Sequence, residues 1–283
     1  MTRVVVTGGS GKLGDAVVAD LVEHGYDVVN VDLAPPAVER TQFVRVDLTD
    51  YGQAVEVLSA IDSRYRGVDA VVHLAAIPGP GAAPNATILA NNILSTYNVF
   101  AGARAVGIRH IVWASSETVL GLPFETPPPY MPVDEEYPGR PETAYSLSKH
   151  LGEQMAIQMC RQDPSLTILG LRFSNVMRPS DYAGFPDFDR DARLRSWNLW
   201  SYIDARDGAQ AVRKALTYPG KGFEAFIIAN ADTVMSRPTA ELAAEVFPDV
   251  EVRGELGEHQ TLLSIEKARR LLGYEPEHSW RDA

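Results

Sequence analysis

Residues Arg3–Gly14 read RVVVTGGSGKLG, a short β-branched run followed directly by spaced glycines. Beyond them, apolar residues recur at helical intervals until Gly25 ends the pattern. A buried strand, a glycine turn and a helix in this order are typical of the phosphate end of a dinucleotide site. There Gly8 permits the tight bend, Gly11 lets the backbone approach a pyrophosphate, and Gly14 brings the helix close to the strand. The first N–H groups of the helix would then face the phosphates. The predicted cofactor-binding residues of this turn are Gly8, Ser10, Gly11, Lys12, Leu13 and Gly14.

A second predicted strand, Asp27–Asp32, ends on an acid about 20 residues beyond the turn. A carboxylate at that place accepts hydrogen bonds from both hydroxyls of an adenosine ribose and repels a 2′-phosphate. No arginine follows Asp32 directly. The sequence therefore favours NAD over NADP, and the alternative is that Asp32 only opens the turn into Leu33–Pro36.

The overall composition indicates an ordinary folded chain. Its 283 residues are 45% apolar and 22% charged, enough to bury a substantial core as one large α/β domain or as a domain with a small annex. The net charge of −11 and the sequence pI of about 5.0 argue against a nucleic acid or an anionic membrane as partner.

Cysteine and histidine usage gives no sign of a metal site. Cys160 is the single cysteine, which excludes a disulfide framework and a thiolate metal centre. The histidines show no ligand spacing with carboxylates, and His73 reads as a packed strand residue, so no metal is predicted. The N-terminus runs straight into a strand and no apolar run could span a bilayer, from which we expect a cytoplasmic protein without membrane contact.

Strand and helix signals alternate along the first two-thirds of the chain, the pattern of a parallel sheet covered on both faces. The predicted fold class is therefore α/β, a Rossmann-type doubly wound parallel sheet with a small C-terminal substrate-binding subdomain. After the first two strands, the predicted strands are Gln42–Val46, Asp69–Ala76, Arg109–Ser116, Leu166–Phe173 and Ala225–Ala229. The predicted helices are Thr49–Ser63, Asn85–Val106, Tyr145–Met159, Asp204–Leu216, Pro238–Val246 and Ser264–Leu272. Gly121–Pro141 is predicted as a proline-rich loop and Pro179–Arg195 as irregular.

Tyr145 and Lys149 are spaced i and i+4, on one face of a predicted helix. An ammonium beside a phenol favours the phenolate, so we expect Lys149 to lower the pKa of Tyr145 from its usual value near 10. A phenol tuned in this way can take or return an alcohol proton near neutral pH. The same spacing also occurs where an exposed tyrosine merely neighbours a lysine, so this interpretation depends on the other motifs.

Three motifs follow one another along the chain: the glycine turn, a strand ending in Ser115–Ser116, then Tyr145 and Lys149. In this order the chain resembles the extended short-chain dehydrogenase/reductase superfamily, in its NAD-dependent epimerase/dehydratase branch. The resemblance covers nearly the whole chain. Matching segments are Thr7–Gly14, Asp47–Leu48, His73–Ala76, Ser115–Gly121, Leu171–Val176, Tyr202–Asp204, Lys267–Ala268 and Leu272–Pro276.

The resemblance implies roles for individual residues. Tyr145 would be the catalytic acid/base, Lys149 would also hydrogen-bond the nicotinamide ribose, and Ser116 would hold the reacting oxygen. Ser115 is the alternative to Ser116, and both serines could instead satisfy backbone groups at a strand end. Further cofactor contacts are implied for Asp47, Leu48, Leu74, Ala75, Ala76 and Asn92.

The substrate side departs from the family pattern. Nucleotide-sugar members usually carry an arginine where Trp200 stands, and an indole cannot replace its clamp on a diphosphate. Little chain follows Asn175 to build a substrate domain. Four arginines of the region could instead bind a sugar-acid carboxylate or be solvated loop charges: Arg178, Arg190, Arg193 and Arg195. The predicted substrate contacts are Ser115, Ser116, Asn175, Arg178 and Trp200, although Trp197 and Trp200 could equally belong to the core.

The sequence leaves three functions open, and for the two catalytic ones the expected substrate is a small, carbohydrate-like molecule. The main prediction is an NAD-dependent dehydrogenase of a free sugar, sugar acid or polyol, in line with a faint similarity to uronate dehydrogenases. The alternative is a UDP-sugar 4-epimerase with tightly bound NAD. The second alternative is a non-catalytic NAD-sensing protein.

The resemblance also implies an organisation for the chain. Residues 1–175 would form the NAD-binding domain, with later returns from about 196–230, and residues 176–283 a small substrate-binding portion that does not fold independently. Family members often pair through two long helices. We therefore expect a homodimer through Asn85–Val106 and Tyr145–Met159.

Overall fold

The computed structural model describes residues 1–61 and 64–283, which contain a seven-stranded parallel sheet. The strands lie in the order β7-β6-β5-β4-β1-β2-β3, so the direction of winding reverses between β1 and β4. Such a reversal opens a crevice beyond the carboxyl ends of the strands. The predicted doubly wound Rossmann-type sheet is confirmed. Its strands are β1 (Arg3–Thr7), β2 (Asp27–Asp32), β3 (Gln42–Arg45), β4 (Ala70–His73), β5 (His110–Ser116), β6 (Thr167–Phe173) and β7 (Gly222–Ile228).

Helices cover both faces of this sheet, with bounds close to the predicted ones. The second helix is the main exception, because it ends at Ser59; Asp62 and Ser63, also predicted helical, lie outside the described residues. No helix in the described ranges is both long and apolar enough to cross a bilayer. The helices are α1 (Lys12–Glu23), α2 (Tyr51–Ser59), α3 (Asn85–Ala105), α4 (Ala144–Gln162), α5 (Ala205–Leu216), α6 (Thr239–Val246) and α7 (Glu266–Leu272).

The strand β4 is shorter than the predicted Asp69–Ala76. It ends at His73, and the amide of Leu74 makes a further 3.0 Å bond to the carbonyl of Thr7. The chain then passes directly over the glycine turn, where a Cβ on Gly8 would lie 2.6 Å from the amide nitrogen of Ala75. This crossing ends the strand because the backbone must leave the plane of the sheet.

The sheet separates two hydrophobic layers, as alternation along its strands dictates. Val4 and Val6 of β1 pack into the layer with α1, α5 and the C-terminal part of the chain, whereas Val5 packs into the layer with α2, α3 and α4. The first layer continues without a break to Tyr274. The C-terminal part of the chain therefore shares its core with the sheet.

Short elements fill the remainder. The predicted loop Gly121–Pro141 contains the two-residue strand Tyr130–Met131, which pairs with Glu251–Val252 away from the main sheet. The other two-residue pairs are Ala60–Ile61 with Tyr65–Arg66 and Val176–Met177 with Ile203–Asp204. The irregular segment Pro179–Arg195 forms three short 3₁₀ helices, a fourth follows it directly, and the others stand after β5 and at the C-terminus. They are Glu117–Leu120, Pro179–Gly184, Pro186–Arg190, Ala192–Leu194, Ser196–Asn198 and Trp280–Asp282.

A buried ion pair connects α4 to β6. Arg172 donates to both carboxylate oxygens of Glu153 at 2.9 Å, and the hydroxyl of Ser115 donates to the same carboxylate at 2.6 Å. The two charged side chains are 8% and 4% exposed. A charge so buried depends on its partner, because removing one member leaves the other unsolvated and unpaired.

Replacing Glu153 by glutamine should therefore destabilise the fold by about 3 kcal/mol, because the guanidinium of Arg172 loses its buried counter-charge. The matched control is Glu142→Gln, which breaks the exposed pair with Arg140 and should cost less than about 1 kcal/mol. Chemical denaturation of both variants measures these values. Equal losses for the two variants would contradict this account.

Candidate active site

The glycine turn has the shape of a pyrophosphate cradle. Gly8 has a φ of +71°, and the amide of Gly11 donates to the Gly8 carbonyl at 3.1 Å, closing the turn. A Cβ on Gly14 would lie only 2.0 Å from that carbonyl, so the close approach of α1 to β1 requires glycine. The N-terminus of α1 has no side-chain cap. Its free N–H groups and positive dipole end suit a dinucleotide phosphate.

The adenosine end of the predicted site is a hollow of about 180 Å³ beside this turn. Asp32 closes one side, and its carboxylate accepts backbone N–H bonds from Ser10 at 3.1 Å and Leu33 at 2.7 Å. These bonds fix the carboxylate at the rim while leaving lone pairs for ribose hydroxyls. Predicted cofactor residues that line the hollow are Gly8, Asp32, Asp47, Leu48, Leu74, Ala75 and Ala76.

A larger cavity of about 730 Å³ adjoins the hollow and shares Gly8, Leu74 and Ala76 with it. Its wall carries all three predicted catalytic residues together with part of the glycine turn and Asn175. The predicted residues on this wall are Gly8, Lys12, Leu13, Gly14, Leu74, Ala76, Ser115, Ser116, Tyr145, Lys149 and Asn175. The crevice at the reversal in strand order therefore brings the predicted cofactor-binding and catalytic residues together.

The start of α4 sets the position of Tyr145. Thr143 caps the helix: its hydroxyl accepts the amide of Ser146 at 3.0 Å, and the hydroxyl of Ser146 accepts the amide of Thr143 at 2.8 Å. Tyr145 thus stands in the first turn, buried against the cavity, and its phenol is hydrogen-bonded to Ser116. One turn later, the Lys149 ammonium donates to the carbonyl of Ala114 at 2.6 Å.

The pKa of Tyr145 differs from the sequence-based expectation. Lys149 was expected to lower it, but burial raises it to about 12, opposed by the hydrogen bond to Ser116. Burial also lowers the pKa of Lys149 to about 7, opposed by the charge of Glu153. The ammonium lies 5.8 Å from the centre of the Tyr145 ring and donates to a carbonyl instead of the phenol. The expectation that Lys149 lowers the pKa of Tyr145 is therefore wrong.

The two serines at the end of β5 have different partners. Ser115 donates to Glu153 and is tied to the buried ion pair. Ser116 accepts hydrogen bonds from the amide and hydroxyl of Thr118 at 3.2 and 3.0 Å, and it reaches Tyr145. Of the two, Ser116 has the geometry to hold a reacting oxygen.

Asn92 is buried in α3 and lines neither the hollow nor the cavity. Its amide oxygen accepts the N–H of Ile77 at 2.9 Å, and its amide nitrogen donates to the Ile77 carbonyl at 3.1 Å and to Ser148 at 3.4 Å. The side chain is occupied in holding the loop after β4 against α4. Its placement is that of a positioning residue and not of a direct cofactor contact.

Two predicted substrate contacts do not reach the cavity. Trp200 is fully buried, and its indole N–H donates to the carbonyl of Ala192 at 2.7 Å, because the local turn directs the ring into the core. Trp197 lines the cavity instead. Arg178 is exposed and lies outside the lining set, and Arg195 is buried with a 2.8 Å bond to the carbonyl of Ser201.

Glu117 is a cavity residue that the sequence analysis missed. It follows Ser116, lines the cavity and is 3% exposed. Its carboxyl accepts hydrogen bonds from Ser174 at 2.6 Å and Asn198 at 3.2 Å, and burial raises its pKa to about 7. An acid placed directly after the last residue of a central strand was the available signal, since carboxyl ends of parallel strands meet at the ligand edge.

His73 lies within the core, as the sequence indicated. Its ring bonds Thr7 at 2.7 Å and lies 3.5 Å from the hydroxyl of Thr96, and burial lowers its pKa to about 3. Across residues 1–61 and 64–283, no three His, Cys, Asp or Glu side chains are grouped so as to hold a metal ion.

A glycine cradle and a Ser-Tyr-Lys set at the carboxyl edge of a doubly wound sheet define an NAD-dependent enzyme of the extended short-chain dehydrogenase/reductase superfamily. The chain belongs to the NAD dependent epimerase/dehydratase family, whose model matches residues 4–229. NAD is the cofactor of this family.

Individual relatives carry the likeness over most of the chain. A Methanocaldococcus jannaschii protein named "Putative UDP-glucose 4-epimerase" is 29% identical over 302 residues, covering 97% of this chain and 93% of that protein. The crystal structure of a UDP-galactose 4-epimerase is 29% identical, with a TM-score of 0.71 and coverage of 98% of this chain and 94% of that one.

Other similarities are lower in identity or cover less of the relative. A mutated uronate dehydrogenase has a TM-score of 0.69 at 22% identity, covering 99% of this chain and 84% of that one, which shows a shared fold. The chain spans about half the length of the plant and animal UDP-glucose 4-epimerases that it also matches.

Gly14→Ala should abolish NAD binding, because the added methyl group would overlap the Gly8 carbonyl and push α1 away from β1. Titration with NAD, followed by calorimetry, measures the loss. Gly184→Ala is the matched control, since its Cβ would meet open space, and it should bind like wild type. Normal NAD binding by a folded Gly14→Ala protein would contradict the assigned cradle.

The buried carboxyl of Glu117 should also leave a signature in folding. Its pKa is raised from 4.5 to about 7, so between these pH values the folded protein keeps a proton that the unfolded chain releases. Raising the pH from about 5 to about 8 should therefore lower the stability of wild type relative to Glu117→Gln. Urea denaturation of both proteins checks this, and a difference that stays constant with pH would contradict the burial.

Proposed function

We propose that this protein transfers a hydride between NAD and a secondary alcohol carbon of a carbohydrate, with Tyr145 as the acid/base. The observation that carries the proposal is the meeting of Ser116, Tyr145 and Lys149 on the wall of one cavity that also contains the glycine cradle. A dinucleotide that lies across the switch point from the adenosine hollow would end in this cavity.

Each side chain has a defined part in the proposed reaction. Ser116 donates to the oxygen of the reacting carbon, and Tyr145 takes the hydroxyl proton as the hydride leaves. Lys149, fixed by the Ala114 carbonyl, adds positive charge at the base of the site while it is protonated. Bound NAD supplies, in its oxidised form, the hydride acceptor and a positive charge that favours the phenolate of Tyr145.

We propose UDP-sugar 4-epimerisation as the specific form of this chemistry. The support is the similarity at 29% identity to two proteins named as 4-epimerases, each over nearly the full length of both chains. In that reaction the sugar alcohol loses a hydride and a proton to give a ketone. The hydride then returns to the opposite face of the ketone carbon and the proton returns to its oxygen, so no net oxidation occurs.

A second candidate is a dehydrogenase of a free sugar or sugar acid. The observation that favours it is the charge of the cavity wall: among the described lining residues, Lys12 and Lys149 are the basic ones and no arginine is present. Lys12 also pairs with Asp181 at 2.6 Å. A diphosphate clamp built on an arginine fork is therefore missing from the described wall.

A panel of UDP-sugars, free sugars and sugar acids, each mixed with protein and NAD, separates these functions. The epimerase form predicts interconversion of UDP-glucose and UDP-galactose without NADH release. The dehydrogenase form predicts NADH from a free sugar or sugar acid. Absence of both products with an NAD-loaded protein would contradict the proposed hydride transfer.

Tyr145→Phe should lower turnover at least about 100-fold while leaving NAD affinity nearly unchanged, because it removes only the proton-transferring hydroxyl. The matched control is Tyr51→Phe, at a half-exposed tyrosine of α2 outside the cavity. If Tyr145→Phe equals wild type in every turnover assay, the protein binds NAD without using this site for catalysis, as an NAD-sensing protein would.

We also propose a homodimer formed by α3 and α4. Both helices expose large apolar side chains, among them Leu94 and Tyr97 on α3 and Leu151 on α4. Light scattering should give about twice the chain mass of 30.9 kDa. Leu151→Glu should shift the measured mass toward that of the monomer. Leu271→Glu, at an equally exposed leucine of α7, should leave the mass unchanged. A monomeric wild type would contradict the proposal.

A further inference from the structure

Glu117 occupies a place in the cavity that the proposed hydride transfer does not use. It begins the 3₁₀ helix that follows β5, immediately after Ser116, and its side chain is buried at the cavity wall. The neighbouring wall residues Ser174 and Asn175 come from the end of β6. Tyr145 lines the same cavity, so the two residues border one space.

The carboxyl of Glu117 is held in place by donors from two distant segments. Ser174 donates to one oxygen at 2.6 Å, and Asn198 donates to the other at 3.2 Å. The guanidinium of Arg195 contributes positive charge while making its own hydrogen bonds to Ser201 and Asn198. An ionised carboxyl offers about four acceptor positions. Two protein donors thus leave acceptor positions for a donor from a ligand in the cavity.

We propose that Glu117 is a specificity-determining residue, which accepts a hydrogen bond from an uncharged hydroxyl or hydroxymethyl group next to the reacting carbon. A substrate with a carboxylate at this position would be rejected. This inference rests on the proposed carbohydrate function and names the substrate class: neutral sugars or their nucleotide derivatives, and not sugar acids.

The discrimination follows from charge and hydrogen bonding together. Above pH 7, where Glu117 is ionised, a hydroxymethyl group can donate to its open acceptor position, whereas a carboxylate has no proton to donate and brings a second negative charge. Like charges that face each other in a buried contact weaken binding. Glutamine at the same position keeps the size and one acceptor but removes the charge, so its effect isolates the electrostatic part.

A purely structural role for Glu117 would produce a different result. If the side chain only fixed the segment around Asn198, its replacement would weaken every ligand to a similar extent. A specificity role instead predicts a change in the ratio of affinities for two ligands that differ in one group. That ratio is the measured quantity.

The experiment uses calorimetry at about pH 8, where Glu117 is ionised, on NAD-saturated Tyr145→Phe protein, which should bind but not convert its ligands. The probes are two pairs that differ only at C6: UDP-glucose with UDP-glucuronate, and galactose with galacturonate. We expect at least one neutral member to bind about tenfold or more tightly than its acid partner. Adding Glu117→Gln should bring that ratio close to one. Adding Glu135→Gln, at a partly buried glutamate outside the cavity, should leave it unchanged.

Three results would overturn the inference. They are an unchanged ratio of neutral to acid affinity in Glu117→Gln, tighter binding of the acids by the protein that retains Glu117, and failure of all four probes to bind. Turnover of the same probes by the wild-type protein separates failure of the specificity inference from failure of the proposed function. A ratio that depends on Glu117 without any conversion or NADH release would retain the specificity role and reject the proposed hydride transfer.

Discussion

The close backbone contact between α1 and β1 is the constraint on which the site depends. Gly14 faces the Gly8 carbonyl at a distance that no side chain permits, and Gly8 in turn faces the backbone of Ala75. Because these contacts involve backbone only, the N-terminus of α1 can lie directly above the reversal between β1 and β4. The helix then presents its N–H groups where a pyrophosphate would pass. The hollow beside Asp32 and the cavity beside Tyr145 adjoin each other in this crevice.

Burial governs the electrostatics of the catalytic end more strongly than pairwise charge does. Tyr145, Lys149 and Glu117 are each buried, and burial favours the neutral form of each side chain. It raises the pKa of Tyr145 to about 12, lowers that of Lys149 to about 7 and raises that of Glu117 to about 7. Glu153, which pairs with Arg172, opposes the lowering of the Lys149 pKa through its charge. A cationic ligand group in the cavity would therefore act on a site whose phenol is held neutral by its surroundings.

The sequence predicted those parts of the fold and site that depend on local pattern. The glycine turn, the acid at the end of β2 and the helical spacing of Tyr145 and Lys149 lie within short stretches, and the structure places them as expected around one crevice. The strands of the main sheet were also readable, because their apolar runs are short and bounded by turn residues.

The sequence could not predict features that depend on distant segments. Glu117 is bonded to Ser174 and Asn198, which are 57 and 81 residues away. Trp200 adopts a φ of +58° that sends its ring into the core, so Trp197 faces the cavity instead. The pKa of Tyr145 follows from burial, which no spacing reveals.

A crystal structure of the protein with bound NAD tests the central claim most directly. The account predicts the pyrophosphate at the N-terminus of α1, the adenosine ribose on Asp32, and the nicotinamide ribose within hydrogen-bond distance, about 3 Å, of Tyr145 or Lys149. A dinucleotide bound elsewhere, or one whose nicotinamide lies outside the cavity of Ser116 and Tyr145, would contradict it.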